Sequence, residues 1–142
     1  MEQKLIFYPF FGVMLLTMSV WVYMYCLRLF FLKRENINPQ SVSTTRQVLN
    51  IVPDKINNPS ENLINLFELP LLFYALCIYL YVTQKVDSVS LYMSFFFLLL
   101  RIGHSVIHCT YNKVIHRFVL YVLSSIILWV LIIREFISAV HA

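Results

Sequence analysis

Glycine and charged residues are both scarce in this sequence. The 142-residue chain contains two glycines, which are too few for a turn-rich β protein. Charged residues make up 13 % of the chain and apolar residues 60 %. An ordinary soluble domain has about 25 % charged residues and about 45–50 % apolar residues. Together with long apolar runs, these shortages predict an all-α integral membrane protein, because a helix satisfies its backbone polar groups without water.

Several motifs are also missing, and each absence reduces the number of functions that the sequence allows. The basic residues form no stripe of the kind that binds nucleic acid, although the net charge is +4. The three cysteines, Cys26, Cys77 and Cys109, form no CxxC pair and are expected to be reduced packing residues. The apolar N-terminal stretch has no short core followed by a small-residue cleavage site, so we expect a first spanning helix there.

Four apolar segments are long enough to cross a bilayer as helices. They cover about residues 5–32, 60–82, 88–109 and 114–133, with Ser60 as the expected N-cap of the second. The last two connections are short, so the segments should form an up-down four-helix bundle. We expect one domain over residues 1–142, with a polar loop at 33–59 that is ordered or semi-ordered.

Basic residues near the segment ends predict the orientation in the membrane. They are more frequent on the side of the first and third connections, which should therefore be cytoplasmic, with both termini on the other side. The basic residues of the expected cytoplasmic side are Lys33, Arg34, Arg46, Lys55 and Lys113, against Lys4, Lys85 and Arg134 opposite.

Two polar clusters interrupt the apolar segments. An ionisable residue in a spanning helix is costly, so it usually faces the bundle interior and marks function. The first cluster is Glu61, Asn62, Asn65 and Glu68, of which positions 61, 65 and 68 share a stripe about 60° wide on a helix. The second cluster consists of Arg101, His104, His108, Asn112, His116, Arg117 and Tyr121.

Direct ion pairing is one interpretation of these clusters. A pair between Glu68 and Arg101 or Arg117 would lower the cost of burying each charge, so a purely structural network remains an alternative. The His104-x3-His108 spacing also suits a metal, but no third ligand has a matching position, and we expect no metal site. Two histidines on one helix face cannot bind opposite faces of a haem.

The same side chains suit an anionic, peptide-like ligand that carries a thiol. Arginine binds carboxylates in a bidentate manner, and Asn and Glu can hold amide and ammonium groups. A neighbouring arginine or tyrosine hydroxyl can stabilise a thiolate, which is a strong nucleophile toward electrophiles dissolved in lipid.

Two motifs at these positions resemble the MAPEG family, the membrane-associated proteins in eicosanoid and glutathione metabolism. Residues 65–74 read Asn-Leu-Phe-Glu-Leu-Pro-Leu-Leu-Phe-Tyr, similar to the family's second-helix motif and to its bacterial branch. Residues 101–121 match its pattern of Arg, x2, His, x3, Tyr or His, x8, Arg, x3, Tyr. The resemblance covers nearly the whole chain.

The resemblance implies a homotrimer that binds glutathione as co-substrate between subunits, near the cytoplasmic face. It implies a transferase or peroxidase that acts on lipophilic electrophiles or lipid hydroperoxides, with Arg117 stabilising the thiolate and Tyr121 as an auxiliary donor. An arginine at the end of the first helix should also contribute, either Arg28 or Arg34. The implied binding residues are Arg28, Asn65, Glu68, Arg101, His104, His108, Arg117 and Tyr121.

Some positions depart from the family pattern. Glu61 and Ile64 stand where eukaryotic transferases carry arginines, His108 replaces a common tyrosine, and Phe118 replaces the serine of the prostaglandin synthase. These changes weaken anion binding or thiol activation. The alternatives are therefore a different thiol donor, a non-catalytic lipid-binding or scaffold protein of the same fold, and a purely structural membrane subunit.

Overall fold

A computed structural model describes residues 2–141, except for the side chains of Thr45, Arg46 and Leu49. The Arg46 charge in the expected cytoplasmic loop therefore lies outside the described side chains. The bounds of the helices, labelled in chain order, are α1 Phe7–Arg34, α2 Thr45–Ile51, α3 Asp54–Phe67, α4 Leu69–Val82, α5 Ser88–Cys109 and α6 Val114–Val140, with short 3₁₀ turns at Gln3–Ile6 and Pro39–Val42.

Four helical stretches of the described chain are long and apolar enough to cross a membrane. They are Gln3–Arg34, Asp54–Val82, Ser88–Cys109 and Val114–Val140, with mean hydropathies between 1.5 and 2.1. The chain is thus an all-helical membrane protein with four candidate spans, as the apolar runs predict.

The second span differs from expectation at its start and in its middle. Helix α3 begins at Asp54, so Ser60 lies inside the helix and is not its N-cap. The span breaks at Glu68, whose φ of −88° and ψ of −94° are not helical, and α4 then begins at Leu69. Pro70 explains part of this break, because it has no N–H for the carbonyl of Leu66.

The polar connection after α1 contains regular structure. Helix α2 starts with a capping box, in which Thr44 Oγ1 accepts from the Gln47 N–H at 3.3 Å and the Thr44 N–H donates to Gln47 Oε1 at 3.1 Å. Such reciprocal bonds satisfy two N–H groups that a helix start leaves open. This segment is therefore more regular than the sequence suggests.

The apolar core occupies the half of the bundle that contains both termini. Ile6, Val13, Phe73, Phe97 and Leu128 are fully buried there, and the Phe73 and Phe97 rings stack with centroids 4.5 Å apart. Lipid tails are as apolar as these side chains, so close packing rather than exclusion of water stabilises the contact.

Polar contacts tie the chain ends to the turn between α4 and α5. Gln3 Oε1 accepts from the Val86 N–H at 2.8 Å, and Arg134 near the end of α6 pairs with Asp87. Asp87 also caps α5 by accepting from the Ser90 N–H at 2.8 Å. The Arg134 guanidinium, and secondarily Ser90, hold the pKa of the Asp87 carboxyl well below its usual range.

Candidate functional site

A cleft of about 490 Å³ opens between α3, α5 and α6, in the polar half of the bundle. Its lining brings together both polar clusters of the sequence, which are far apart in the chain. The lining residues are Glu61, Ile64, Asn65, Glu68, His104, His108, Val114, Arg117, Phe118 and Tyr121.

Helix α5 supplies the inner wall of the cleft. Arg101, His104 and His108 are buried on one face of the helix, at 0 %, 2 % and 2 % exposure, which agrees with their spacing in the sequence. The apolar residues between them, such as Ile102 and Val106, lie on the opposite, exposed face. This strict separation of polar and apolar faces places the three side chains against α3 and α6.

Arg101 lies behind the cleft and does not line it. Its Nη2 donates to the backbone carbonyl of Asn65 at 2.5 Å, and its Cζ lies 5.2 Å from the centre of the Tyr121 ring. The buried guanidinium thus holds the backbone of α3 just before the break at Glu68, and it supports the ring of Tyr121.

The hydrogen bonds of the two histidines fix which ring nitrogen carries hydrogen. His104 Nδ1 lies 2.8 Å from the Arg117 carbonyl, which only accepts, so Nδ1 is the donor. His108 Nε2 contacts Arg117 Nη1, which only donates, so Nε2 is an acceptor. The His108 ring is therefore neutral in this arrangement, and the two histidines together hold both the backbone and the side chain of Arg117.

Arg117 lines the cleft with only part of its guanidinium engaged. Nη1 donates to Asn112 Oδ1 at 2.8 Å and also contacts His108 Nε2. A guanidinium nitrogen of this kind has two hydrogens, so both are in use. Within the described part of the chain, Nε and Nη2 of Arg117 have no hydrogen-bond acceptor, which leaves a two-donor edge suited to a carboxylate or thiolate.

Glu68 and Tyr121 form the second charged group of the cleft. The Tyr121 hydroxyl donates to Glu68 Oε2 at 3.2 Å. Of the three salt bridges between described residues, none includes Glu68, so the predicted ion pair with Arg101 or Arg117 is not formed. The break in the helix directs Glu68 toward α6, where the hydroxyl of Tyr121 is its partner.

The arginine expected from the first helix is not part of this cleft. Arg28 donates to Asn57 Oδ1 at 3.1 Å and lines a separate groove of about 370 Å³ between α1 and α3. That groove shares Ile64 and Glu68 with the cleft, so the two lie on either side of α3. The alternative, Arg34, pairs with Glu35 at the exposed end of α1.

Several polar contacts near the cleft have no counterpart in the sequence interpretation. Asn112 Nδ2 donates to Asn58 Oδ1 at 2.9 Å, and Ser105 Oγ donates to Asn62 Oδ1 at 3.4 Å. The Asn58 and Asn112 side chains come from α3 and the α5–α6 turn, which no spacing rule relates. His116, by contrast, lies away from the cleft, with Nδ1 3.2 Å from the Tyr111 hydroxyl.

The described residues contain no group of three or more His, Cys, Asp and Glu side chains that could hold a metal ion. The three cysteines are free thiols: Cys77 is buried, Cys109 is half-buried and Cys26 is exposed.

Comparison with known proteins leads to the same family as the two motifs. The model of the MAPEG family matches residues 6–137, which is nearly the whole chain. The searches of curated proteins and of solved structures gave no significant match. The match spans all four candidate membrane helices, and the chain therefore belongs to the MAPEG family, whose members are membrane proteins of glutathione and eicosanoid metabolism.

Proposed function

We propose that this protein is a membrane-bound glutathione transferase or peroxidase that acts on lipophilic electrophiles or lipid hydroperoxides. The observation that carries the proposal is the cleft wall itself. An arginine with an open two-donor edge, a carboxylate and a tyrosine hydroxyl meet there within an otherwise apolar protein. The complementary ligand has anionic and cationic groups and a thiol, as glutathione does.

In this proposal, Arg117 lowers the energy of the thiolate. The glutathione thiol loses its proton to water, and the open edge of Arg117 donates hydrogen bonds to the sulfur anion. The thiolate then attacks an electrophilic carbon; a carbon–sulfur bond forms, and the leaving group departs with its electron pair. With a hydroperoxide, two glutathione molecules are oxidised to the disulfide while the peroxide is reduced to an alcohol and water.

The other cleft residues hold the rest of the ligand. Glu68 accepts hydrogen bonds, which suits the ammonium group, and Asn65 suits an amide. Tyr121 is the auxiliary donor, and Arg101 supports it from behind through its ring contact. His104 and His108 keep Arg117 in place, and Arg28 would contribute from the neighbouring groove across α3.

A homotrimer completes the site in this proposal. Glu68 is exposed in the isolated chain and lies where the polar first half of its span meets the apolar second half, which begins at Leu69. A carboxylate exposed to lipid there would be costly. A neighbouring subunit or a bound ligand would cover it, which is consistent with a ligand site between subunits.

The second candidate is a non-catalytic lipid-binding or scaffold protein. It is favoured by the apolar side chains at the cleft, since Ile64, Val114 and Phe118 are all exposed there. A lipid tail would fit against them without any reaction at Arg117.

Ultraviolet absorbance of the thiolate separates the two candidates. Glutathione is added to the purified protein in detergent at neutral pH, and the spectrum is compared with that of glutathione alone. The transferase proposal expects extra thiolate absorbance that saturates with the protein's site concentration and is displaced by a non-thiol glutathione analogue. A spectrum equal to the sum of the separate spectra of protein and glutathione would contradict the transferase proposal and favour the scaffold protein.

A further inference from the structure

We infer that Asn112 is a positioning residue for Arg117, and that Asn58 orients Asn112. The inference rests on the proposed function, because it concerns how Arg117 meets the thiolate or carboxylate of a bound ligand. Asn112 lies in the turn between α5 and α6, outside the three helices that form the cleft wall.

The direction of the hydrogen bonds is set by the arginine. A guanidinium only donates, so the amide of Asn112 must present its oxygen to Arg117 Nη1, at 2.8 Å. Its nitrogen then faces the other way and donates to Asn58 Oδ1 at 2.9 Å. Asn58 is 8 % exposed, so its side chain gives Asn112 a fixed acceptor on α3.

The backbone of the turn explains why asparagine suits this position. Asn112 has a φ of 48°, in the left-handed region that asparagine tolerates better than most residues. Its N–H closes the end of α5 by donating to the Ile107 carbonyl at 2.8 Å. The turn therefore holds the amide at a defined place beside the first turn of α6.

The consequence is an arginine with one end fixed. Asn112 and His108 together use both hydrogens of Nη1, and so the edge formed by Nε and Nη2 remains for a ligand. A long arginine side chain loses much conformational freedom when it is ordered. Fixing it before the ligand arrives removes that cost from binding.

The test replaces Asn112 with glycine and uses Asn36→Gly as the matched control. Asn36 also has a positive φ, of 50°, and lies in the exposed turn after α1, so both variants remove an asparagine side chain without backbone strain. Glutathione affinity and the pH midpoint of thiolate absorbance are measured for each, together with the melting temperature in detergent.

We expect Asn112→Gly to weaken glutathione binding by about tenfold, as for the loss of a hydrogen bond to a charged group. The thiolate midpoint should move to higher pH, a change that a merely structural role would not produce. Asn36→Gly should match the wild type in both. Asn58→Leu, which leaves Asn112 present but without its acceptor, should shift both values in the same direction by a smaller factor.

The outcomes distinguish this inference from the proposed function. If the wild type gives no thiolate absorbance with glutathione, both fail. If the wild type gives the signal and Asn112→Gly behaves like Asn36→Gly, only the role of Asn112 is overturned. If Asn112→Gly does not fold, Asn58→Leu decides, and wild-type affinity and midpoint in that variant would overturn the inference.

Discussion

At the scale of single residues, the cleft depends on the shape of one guanidinium. Arg117 uses one terminal nitrogen for His108 and Asn112 and keeps the rest of its planar group for the cleft. A lysine ammonium has the same charge but is a compact point donor that cannot do both. Replacing Arg117 with lysine therefore distinguishes a binding site, which needs the planar guanidinium, from a membrane anchor, which needs only the positive charge.

We predict that Arg117→Lys lowers glutathione affinity or turnover by roughly ten- to a hundredfold. This corresponds to the loss of a charge-assisted contact of about 1.5–3 kcal/mol. Both constants are measured in detergent for Arg117→Lys and Arg117→Ala, with melting temperature as a check on folding. A folded Arg117→Lys protein with wild-type affinity and turnover would mean that the site is misplaced.

Single residues also show how far the sequence could predict the site. The spacing of Arg101, His104 and His108 predicts a common face, because a helix repeats every 3.6 residues. No such rule relates Glu68 to Tyr121, so the sequence does not predict their hydrogen bond. Pairing of Glu68 with an arginine, one interpretation of the clusters, is not found among the described residues. Asn58 and Asn112 meet only because α3 packs beside the α5–α6 turn, which is tertiary information.

At the scale of helices, α1 and α5 approach closely at Gly12. A Cβ added there would lie 2.5 Å from Leu98 Cδ2, which is too close for any real pair of carbon atoms. The clash is with the far end of a flexible side chain that can turn aside, so we predict that Gly12→Val lowers the free energy of unfolding by about 1 kcal/mol, at the low end of the range for overpacking. Thermal unfolding in detergent measures this, and Leu98→Ala in the same chain should restore part of the loss. Equal stability of Gly12→Val and wild type would contradict the contact.

The end of α6 is attached to the α4–α5 turn by the pair of Asp87 and Arg134. Because the Asp87 pKa is lowered in the folded state, the pair stabilises the fold above the unfolded pKa of about 3.9, and this contribution is lost as pH falls below that value. Both side chains are about 40 % exposed, so the effect should stay below about 1 kcal/mol.

We predict that Asp87→Asn is slightly less stable than the wild type at pH 7 and that the difference shrinks as pH falls below about 4 toward the lowered pKa that Asp87 has in the folded state. Asparagine keeps the cap of α5, so the variant removes mainly the charge. Melting temperatures are compared across this pH range in one detergent. A constant difference between the two proteins would show that the charge of Asp87 does not act through Arg134.

Helix boundaries were predictable only where the sequence carries a local signal. The apolar runs predict the four spans, and the short polar links predict where α5 and α6 begin. The predicted start of the second span at Ser60 is wrong. Pro59 suggests a helix boundary there, whereas α3 begins at Asp54 and continues through Pro59. Pro70 predicts a local bend of the helix near Glu68, where the structure has a break, yet a proline alone does not say whether a helix bends or ends.

At the scale of the whole molecule, the contact of Gln3 with Val86 brings the N-terminus to the α4–α5 turn. The excess of basic residues on the opposite side predicts that this end is non-cytoplasmic. Single cysteines placed at position 38 and at position 85, in a cysteine-free chain, are labelled in intact cells with an impermeant reagent. We expect labelling at position 85 only, and the reverse pattern would invert the topology.

The exposed face of α3 around Glu68 bears on how the chains assemble. An exposed Glu68 at the start of the apolar half of its span, next to an exposed Phe67 and Ile64, makes this face of α3 unsuited to lipid alone and suited to a neighbouring subunit. We predict a homotrimer by native mass spectrometry in mild detergent. Glu68→Arg should weaken it, because it puts a longer side chain of opposite charge on the exposed face proposed to meet the neighbouring subunit, whereas Glu61→Arg, two turns earlier, should leave it intact. A wild type that stays monomeric or dimeric would contradict the trimer, and a monomer would leave only a site within a single chain for glutathione.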